Sequence, residues 1–161
     1  FLIHLQDTIQ LDGIYADPDL KYQAHSAEIS DQMIDRVADM LTRITWNRED
    51  VRGFLGTYLT EPKAHVFFDS PDEPLEHEEF VAACIADGFR LDARSLLLFS
   101  ADQFFMNAEP VPVQPEDKAI LERLADHREL DSVAGLSEEG LALLYDWYCC
   151  GFAYASRTLM D

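Results

Sequence analysis

FRLDARSLLLFSADQFFMN, residues 89–107, decides the fold. Phe89, Leu91, Ala93 and Ser95 alternate with more polar neighbours, and LLLF and QFFMN then flank Ser100-Ala101-Asp102. Alternation up to Ser95, followed by two short apolar runs about a polar break, predicts a β-hairpin. Before it, LEHEEFVAACIADG (75–88) places Leu75, Phe80, Val81, Cys84 and Ile85 among its apolar positions, with acids in the first turn and Gly88 after the last. The helix dipole favours acids at that end, and glycine suits the C′ position, so a helix is expected here. After the hairpin, PVPVQP (110–115) is expected to end the β section, with Pro115 at N1 of a helix over EDKAILERLADHREL that buries Ile120, Leu121, Leu124 and Leu130. A final helix is expected from about Ser137, carrying Leu141, Leu144, Tyr145, Tyr148, Phe152 and Leu159, although Gly140 and Gly151 weaken it.

The order helix, hairpin, helix, helix defines a winged-helix-like module over 75–161. Further upstream, Ser30 is a suitable N-cap for a helix with Met33, Ile34, Val37, Leu41 and Ile44 on one face, flanked by Met40. Asn47 caps a second helix with Val51, Phe54, Leu55, Tyr58 and Leu59, which Glu61-Pro62 stops. Two short amphipathic helices in tandem form a hairpin that cannot bury both faces by itself. Homodimerisation through Ile34, Val37, Leu41, Ile44, Val51, Phe54, Leu55 and Tyr58 is therefore expected. Three prolines in PKAHVFFDSPDEP make 62–74 a linker, with a short extended piece at 65–68. FLIHLQDTIQLDG, with Phe1, Leu2, Leu5, Ile9 and Leu11, suits a short helix, and the stretch around Asp17-Pro18-Asp19 reads as an extended connector. The predicted class is α+β and mostly helical: connector and hairpin over 1–61, linker over 62–74, and the winged-helix-like domain over 75–161.

Thirty-one acids against twelve bases give a net charge of −19, and Lys21, Lys63 and Lys118 are the only lysines. Nucleic-acid affinity comes largely from cations that displace counterions, so direct nucleic-acid binding is not expected. The acid serves either as a solubilising surface or as a docking face for a basic partner. No apolar run approaches the ~20 residues needed to span a bilayer, and a soluble, cytoplasmic chain without membrane contact is expected. The three cysteines, two of them adjacent at Cys149 and Cys150, suit neither a disulfide framework nor a zinc site and read as reduced, buried thiols.

One metal-like pattern stands in LEHEEF (75–80): His77 and Glu79 form His-x-Glu, and His127 is available as a third ligand of a 2-His-1-carboxylate iron site. On a helix, residues two apart lie roughly 200° apart around the axis, so this pair does not readily chelate one ion. His4, His25 and His65 have no nucleophile or base nearby in sequence, Ser137 lacks a nucleophile elbow, and Gly53 and Gly56 do not belong to a phosphate loop. The aromatics Tyr145, Trp147, Tyr148, Phe152 and Tyr154 cover several helical faces, which fits core plus interface.

The opening helix running into YADPDL (15–20), the pair SDQMIDRVADMLTRIT (30–45) and EDVRGFLGTYLTEP (49–62), the linker, the winged-helix-like block and the aromatic terminal helix together resemble a known region. It is the region C-terminal to the catalytic cupin in bacterial ribosomal oxygenases. Those JmjC-type enzymes hydroxylate an arginine of a large-subunit ribosomal protein using iron(II), 2-oxoglutarate and dioxygen. The resemblance implies a non-catalytic chain that dimerises through the helical hairpin, with iron(II) and 2-oxoglutarate held in an upstream domain and a basic ribosomal protein as the parent's partner. The alternatives are a free-standing acidic winged-helix adaptor and a small iron oxygenase using His77, Glu79 and His127.

Overall fold

The computed structural model describes residues 1, 3, 4 and 27–155. The helix expected over 1–13 and the connector around Asp17-Pro18-Asp19 therefore lie outside the described residues, apart from Phe1, Ile3 and His4. Helix α1 spans Asp31–Thr42, and the Ser30 hydroxyl accepts from the Met33 N–H at 3.3 Å. Helix α2 spans Arg48–Thr60. Its start is capped reciprocally: Asn47 Oδ1 accepts from the Glu49 and Asp50 N–H groups at 2.6 and 3.1 Å, while Asp50 Oδ2 accepts from the Asn47 N–H at 2.7 Å. This is a capping box with amide and carboxylate in place of hydroxyl and glutamate. The chain divides into two compact units, 1–54 and 55–161, so the boundary falls inside α2.

The second unit contains α3 (His77–Asp87), β1 (Phe89–Leu91), β2 (Leu97–Ser100), β3 (Gln103–Met106), β4 (Glu109–Val111), α4 (Lys118–His127), β5 (Glu129–Leu130), α5 (Glu138–Cys149) and β6 (Ala153–Ala155). The expected single hairpin is present at β2 and β3 around Ala101-Asp102, but it belongs to an antiparallel meander β2-β3-β4, and a second antiparallel sheet has the order β5-β1-β6. The third strand is hidden in the sequence by Pro110 within it and Pro112 just after it. Asn107 and Ala108 both take positive φ, 49° and 76°, and turn the chain from β3 into β4 as a type I′ turn does. Ala108 is a poor residue for that conformation, and its N–H is held by Thr60 Oγ1 at 2.9 Å. Thr60 is itself fully buried and donates to the Gly56 carbonyl at 2.7 Å. Gly56 is required there, because a Cβ would lie 2.3 Å from the buried Phe105 ring.

The core lies where α3, α4 and α5 meet the β5-β1-β6 sheet. Phe80 and Cys84, Leu121 and Leu124, and Leu144, Trp147 and Tyr148 are the buried helical positions, all at spacings of one, three or four residues. Phe80 stacks on Tyr148 with ring centroids 4.9 Å apart and meets Phe89 edge-on at 6.2 Å. Gly88, at φ 90°, brings the chain from α3 into β1 so close to β5 that a Cβ would stand 2.5 Å from the Leu130 carbonyl oxygen.

Two helix boundaries differ from expectation. Helix α4 begins at Lys118 rather than at Pro115, because the preceding turn places Asp117 in the interior, where its carboxylate accepts from Ser137 N–H at 2.7 Å and Ser137 Oγ–H at 2.5 Å. That bond ties the start of α4 to the N-cap of α5, whose Ser137 hydroxyl in turn accepts from Gly140 N–H at 3.0 Å. Helix α5 ends at Cys149 instead of continuing through Phe152. Gly151 adopts φ 74°, its N–H donates to Tyr148 O and the Phe152 N–H donates to Trp147 O, which is a Schellman ending. Leu159 lies outside the described residues. The thiols also differ: Cys84 is buried, its pKa pushed by burial up to about 12, but Cys149 is half-buried and Cys150, at the helix end, is exposed.

Residues 61–76 contain no helix or strand, and no extended strand forms at 65–68. They are nonetheless fastened along their length. Arg94 donates to the Phe67 carbonyl at 2.6 Å and pairs with Asp69 at 3.1 Å, Phe68 meets Phe152 edge-on at 4.6 Å, and Leu75 is bonded through its N–H and C=O to the Tyr148 and Tyr145 hydroxyls.

Candidate interaction site

The eight residues expected at a dimer interface divide by burial. No residue of α1 is buried, and Ile34 and Leu41 are 53% and 61% exposed, with Val37 and Met40 also exposed on the same helix. Three and four residues apart, Ile34, Val37 and Leu41 form one continuous apolar stripe. On α2, Leu55 and Tyr58 are exposed and Val51 and Phe54 half-buried, as is Ile44 between the two helices; Phe54 packs edge-on to Phe1 at 5.3 Å. Trp46 and Leu59 are further exposed apolar side chains that the expected interface did not include. Their signal was their place in the helical period and beside it.

The iron alternative receives no support from the geometry. His77 lies edge-on to Tyr145 at 5.0 Å, and His127 is the last residue of α4. No group of three or more His, Cys, Asp or Glu side chains that could hold a metal ion occurs among the described residues. These residues do not fit an iron centre.

The buried charge lies elsewhere. Asp92 is buried and accepts from the Arg94 N–H and Nε at 2.7 and 2.8 Å, from an Arg94 terminal nitrogen at 3.0 Å, and from the Tyr154 hydroxyl. Arg128, left-handed at the end of α4, donates to the Asp92 and Ser95 carbonyls at 2.6 and 3.1 Å, so the same side chain that ends the helix fixes the turn after β1. The Arg94 guanidinium, reinforced by the Tyr154 hydroxyl, holds the Asp92 carboxyl down at about 2, and burial with the Asp92 bond pushes the Tyr154 phenol up. A folded pKa below the unfolded value of about 3.9 stabilises the fold fully above that value, and the contribution is lost as pH falls from about 4 to about 2. Asp92→Asn is expected to cost about 2 kcal/mol at pH 7. Urea titrations of both proteins check this, with the gap between them closing as the pH approaches 2.

Acids dominate the last helix, whereas on α4 Glu122 and Asp126 are matched by Lys118 and Arg123. Helix α5 carries Glu138, Glu139 and Asp146 and no base. Lys118 is paired with Asp102 and lies 3.9 Å from Glu122, which leaves Arg123 as the exposed arginine of α4. No helix among the described residues is long and apolar enough to cross a membrane.

Helices, a three-stranded meander and a second small sheet in this order define an α+β winged-helix protein. The ROXA-like winged helix family profile matches residues 43–154, and the chain belongs to that family. Among solved structures it is similar to YcfD of Escherichia coli, with 19% identity, a TM-score of 0.66, and coverage of 95% of this chain and 42% of that one. It is likewise similar to YcfD described as a ribosomal oxygenase in complex with cobalt and 2-oxoglutarate (19%, 0.67, 95% and 43%), and to the complex with cobalt and succinic acid (20%, 0.64, 89% and 41%). At these identities the likeness is one of fold, and the chain spans less than half the length of those structures. No curated protein matches.

Proposed function

We infer that this chain is the non-catalytic dimerisation and winged-helix portion of an iron(II)/2-oxoglutarate-dependent ribosomal protein hydroxylase. The α1 stripe carries this reading: an amphipathic helix with no buried residue has its apolar face available for another copy. Family membership and the fold shared with a YcfD structure holding cobalt and 2-oxoglutarate support the parent chemistry. On this reading the metal and 2-oxoglutarate are held in a catalytic domain upstream of this chain, as the cobalt and 2-oxoglutarate complex of YcfD suggests. The dimer brings two acidic winged-helix domains together, and their charge suits docking of a basic ribosomal protein rather than nucleic acid.

Docking is tested by fluorescence anisotropy with a labelled Lys/Arg-rich peptide and with a DNA duplex. The peptide is expected to bind, weakening at least tenfold between about 50 and 300 mM salt, while the duplex does not bind. Duplex binding with peptide indifference would sink the docking reading and leave the dimer untouched.

A further inference from the structure

Strand β2 is one edge of the meander. The two-residue turn at Ala101-Asp102 and the Asn107 N–H···O=C Leu96 bond at 3.1 Å fix Leu96, Leu98 and Ser100 as the residues bonded to β3. Leu97 and Phe99 consequently aim their backbone N–H and C=O outward, and these groups meet no hydrogen-bond partner among the described residues. The opposite edge is treated differently. The same alternation makes positions 110 and 112 the outward ones of β4 and the residue after it, and both are proline, without an N–H. One edge is closed to strand addition. The other, Ser95 to Ser100, has no proline and no charge, and Leu98 and Phe99 on it are 40% and 37% exposed.

The geometry points to β2 pairing antiparallel with β2 of a second copy, about a two-fold axis at Leu98. In that register Leu97 bonds the partner's Phe99, Leu96 faces the partner's Ser100, and the two Leu98 side chains meet across the axis as a non-hydrogen-bonded pair. Charge selects this occupant. Two copies of a chain with charge −19 repel except where a surface carries no acid, and the stretch from Ser95 to Ser100 is such a surface. The charges that flank it are engaged within the chain, Arg94 with Asp92 and Asp69 and Asp102 with Lys118, so the strand itself presents neither sign to a second copy. A Lys/Arg-rich segment would find no carboxylate along the strand. Beside it, Leu96 lines a groove of about 550 Å³ with Tyr58, Leu59 and Val66, whose wall also carries Glu61, Lys63 and Arg94.

The test uses the full chain with Cys149→Ser and Cys150→Ser, the buried Cys84 being retained. Leu98→Cys is expected to form a covalent dimer on mild oxidation, because opposed residues of this kind have Cα atoms roughly 4.5 Å apart, within disulfide range. Leu96→Cys alone is expected to remain uncrosslinked, yet to crosslink when mixed with Ser100→Cys. Amide exchange at Leu97 and Phe99 should slow at least tenfold as concentration rises. Leu98→Cys crosslinking no faster than Leu96→Cys would overturn the pairing, as would protection of those amides only on adding a Lys/Arg-rich peptide. In a Val37→Asp/Leu41→Asp background the Leu98→Cys crosslink is expected to persist at higher concentration, and its loss there would reduce it to a by-product of the helical interface. An intact crosslink together with unchanged association of that double variant would instead reject the helical interface and leave the strand pairing standing.

Discussion

Replacing Gly151 by alanine is expected to destabilise the winged-helix unit by about 3 kcal/mol or more and to lower its melting temperature by roughly 10 °C. Two costs combine. The residue sits at φ 74°, where an L side chain meets its own backbone at a cost of about 1–2 kcal/mol. The new Cβ would also stand 2.5 Å from the Asp69 carbonyl oxygen and 2.9 Å from the Ser70 nitrogen. These are backbone atoms, so relief requires the segment around Asp69 to lift away, with loss of the Arg94 and Phe68 contacts that secure it. Gly53→Ala, with nothing within 4 Å of the new Cβ on a helical backbone, should have the opposite sign and add up to about 1 kcal/mol. Thermal denaturation of the two variants beside the parent chain checks both. Equal melting temperatures for Gly151→Ala and the parent would mean that residues 61–76 are a loose linker after all.

The parts of the fold written in one period were legible. α1, α2, α3 and the β2–β3 hairpin announce themselves by apolar spacing, and Ser30 and Asn47 cap the helices expected of them, while Ser137, expected only as the approximate start of α5, proves to be its cap. What escaped depends on partners far away in sequence. β4 carries Pro110, which counts against a strand until the strand is known to be an edge whose outward groups need no donor. Strands β5 and β6 are two and three residues long and exist because β1 lies between them. Gly151 was read as a weakness in a long helix, whereas its positive φ ends the helix and directs the chain into β6. The polar knot of Asp92, Arg94, Arg128 and Tyr154 draws on a turn, a helix end and a strand, and no local spacing signals it. Among the candidate sites, the apolar stripe was readable from helical period, and its exposure required the structure.

The second large effect is expected at that stripe. In Val37→Asp/Leu41→Asp, each copy loses two apolar side chains from α1 and gains two carboxylates, and in a two-fold interface every change is counted twice. Like charges facing each other in a surface closing from water then oppose association outright. The dissociation constant is expected to rise at least 100-fold. Because both residues are exposed within one copy, the melting temperature of the separated chain should change by only a few degrees. A loss of association that came with unfolding would show in circular dichroism and would place these residues in a core instead.

Sedimentation velocity of the unmodified chain, from about 1 to 100 μM beside the double variant, bears most directly on the claim that this is an assembly module. The prediction is a species of twice the chain mass for the unmodified protein and a single-chain species for the variant over most of that range. A single-chain mass for the unmodified protein at 100 μM, or an equally tight dimer in the variant, would contradict it.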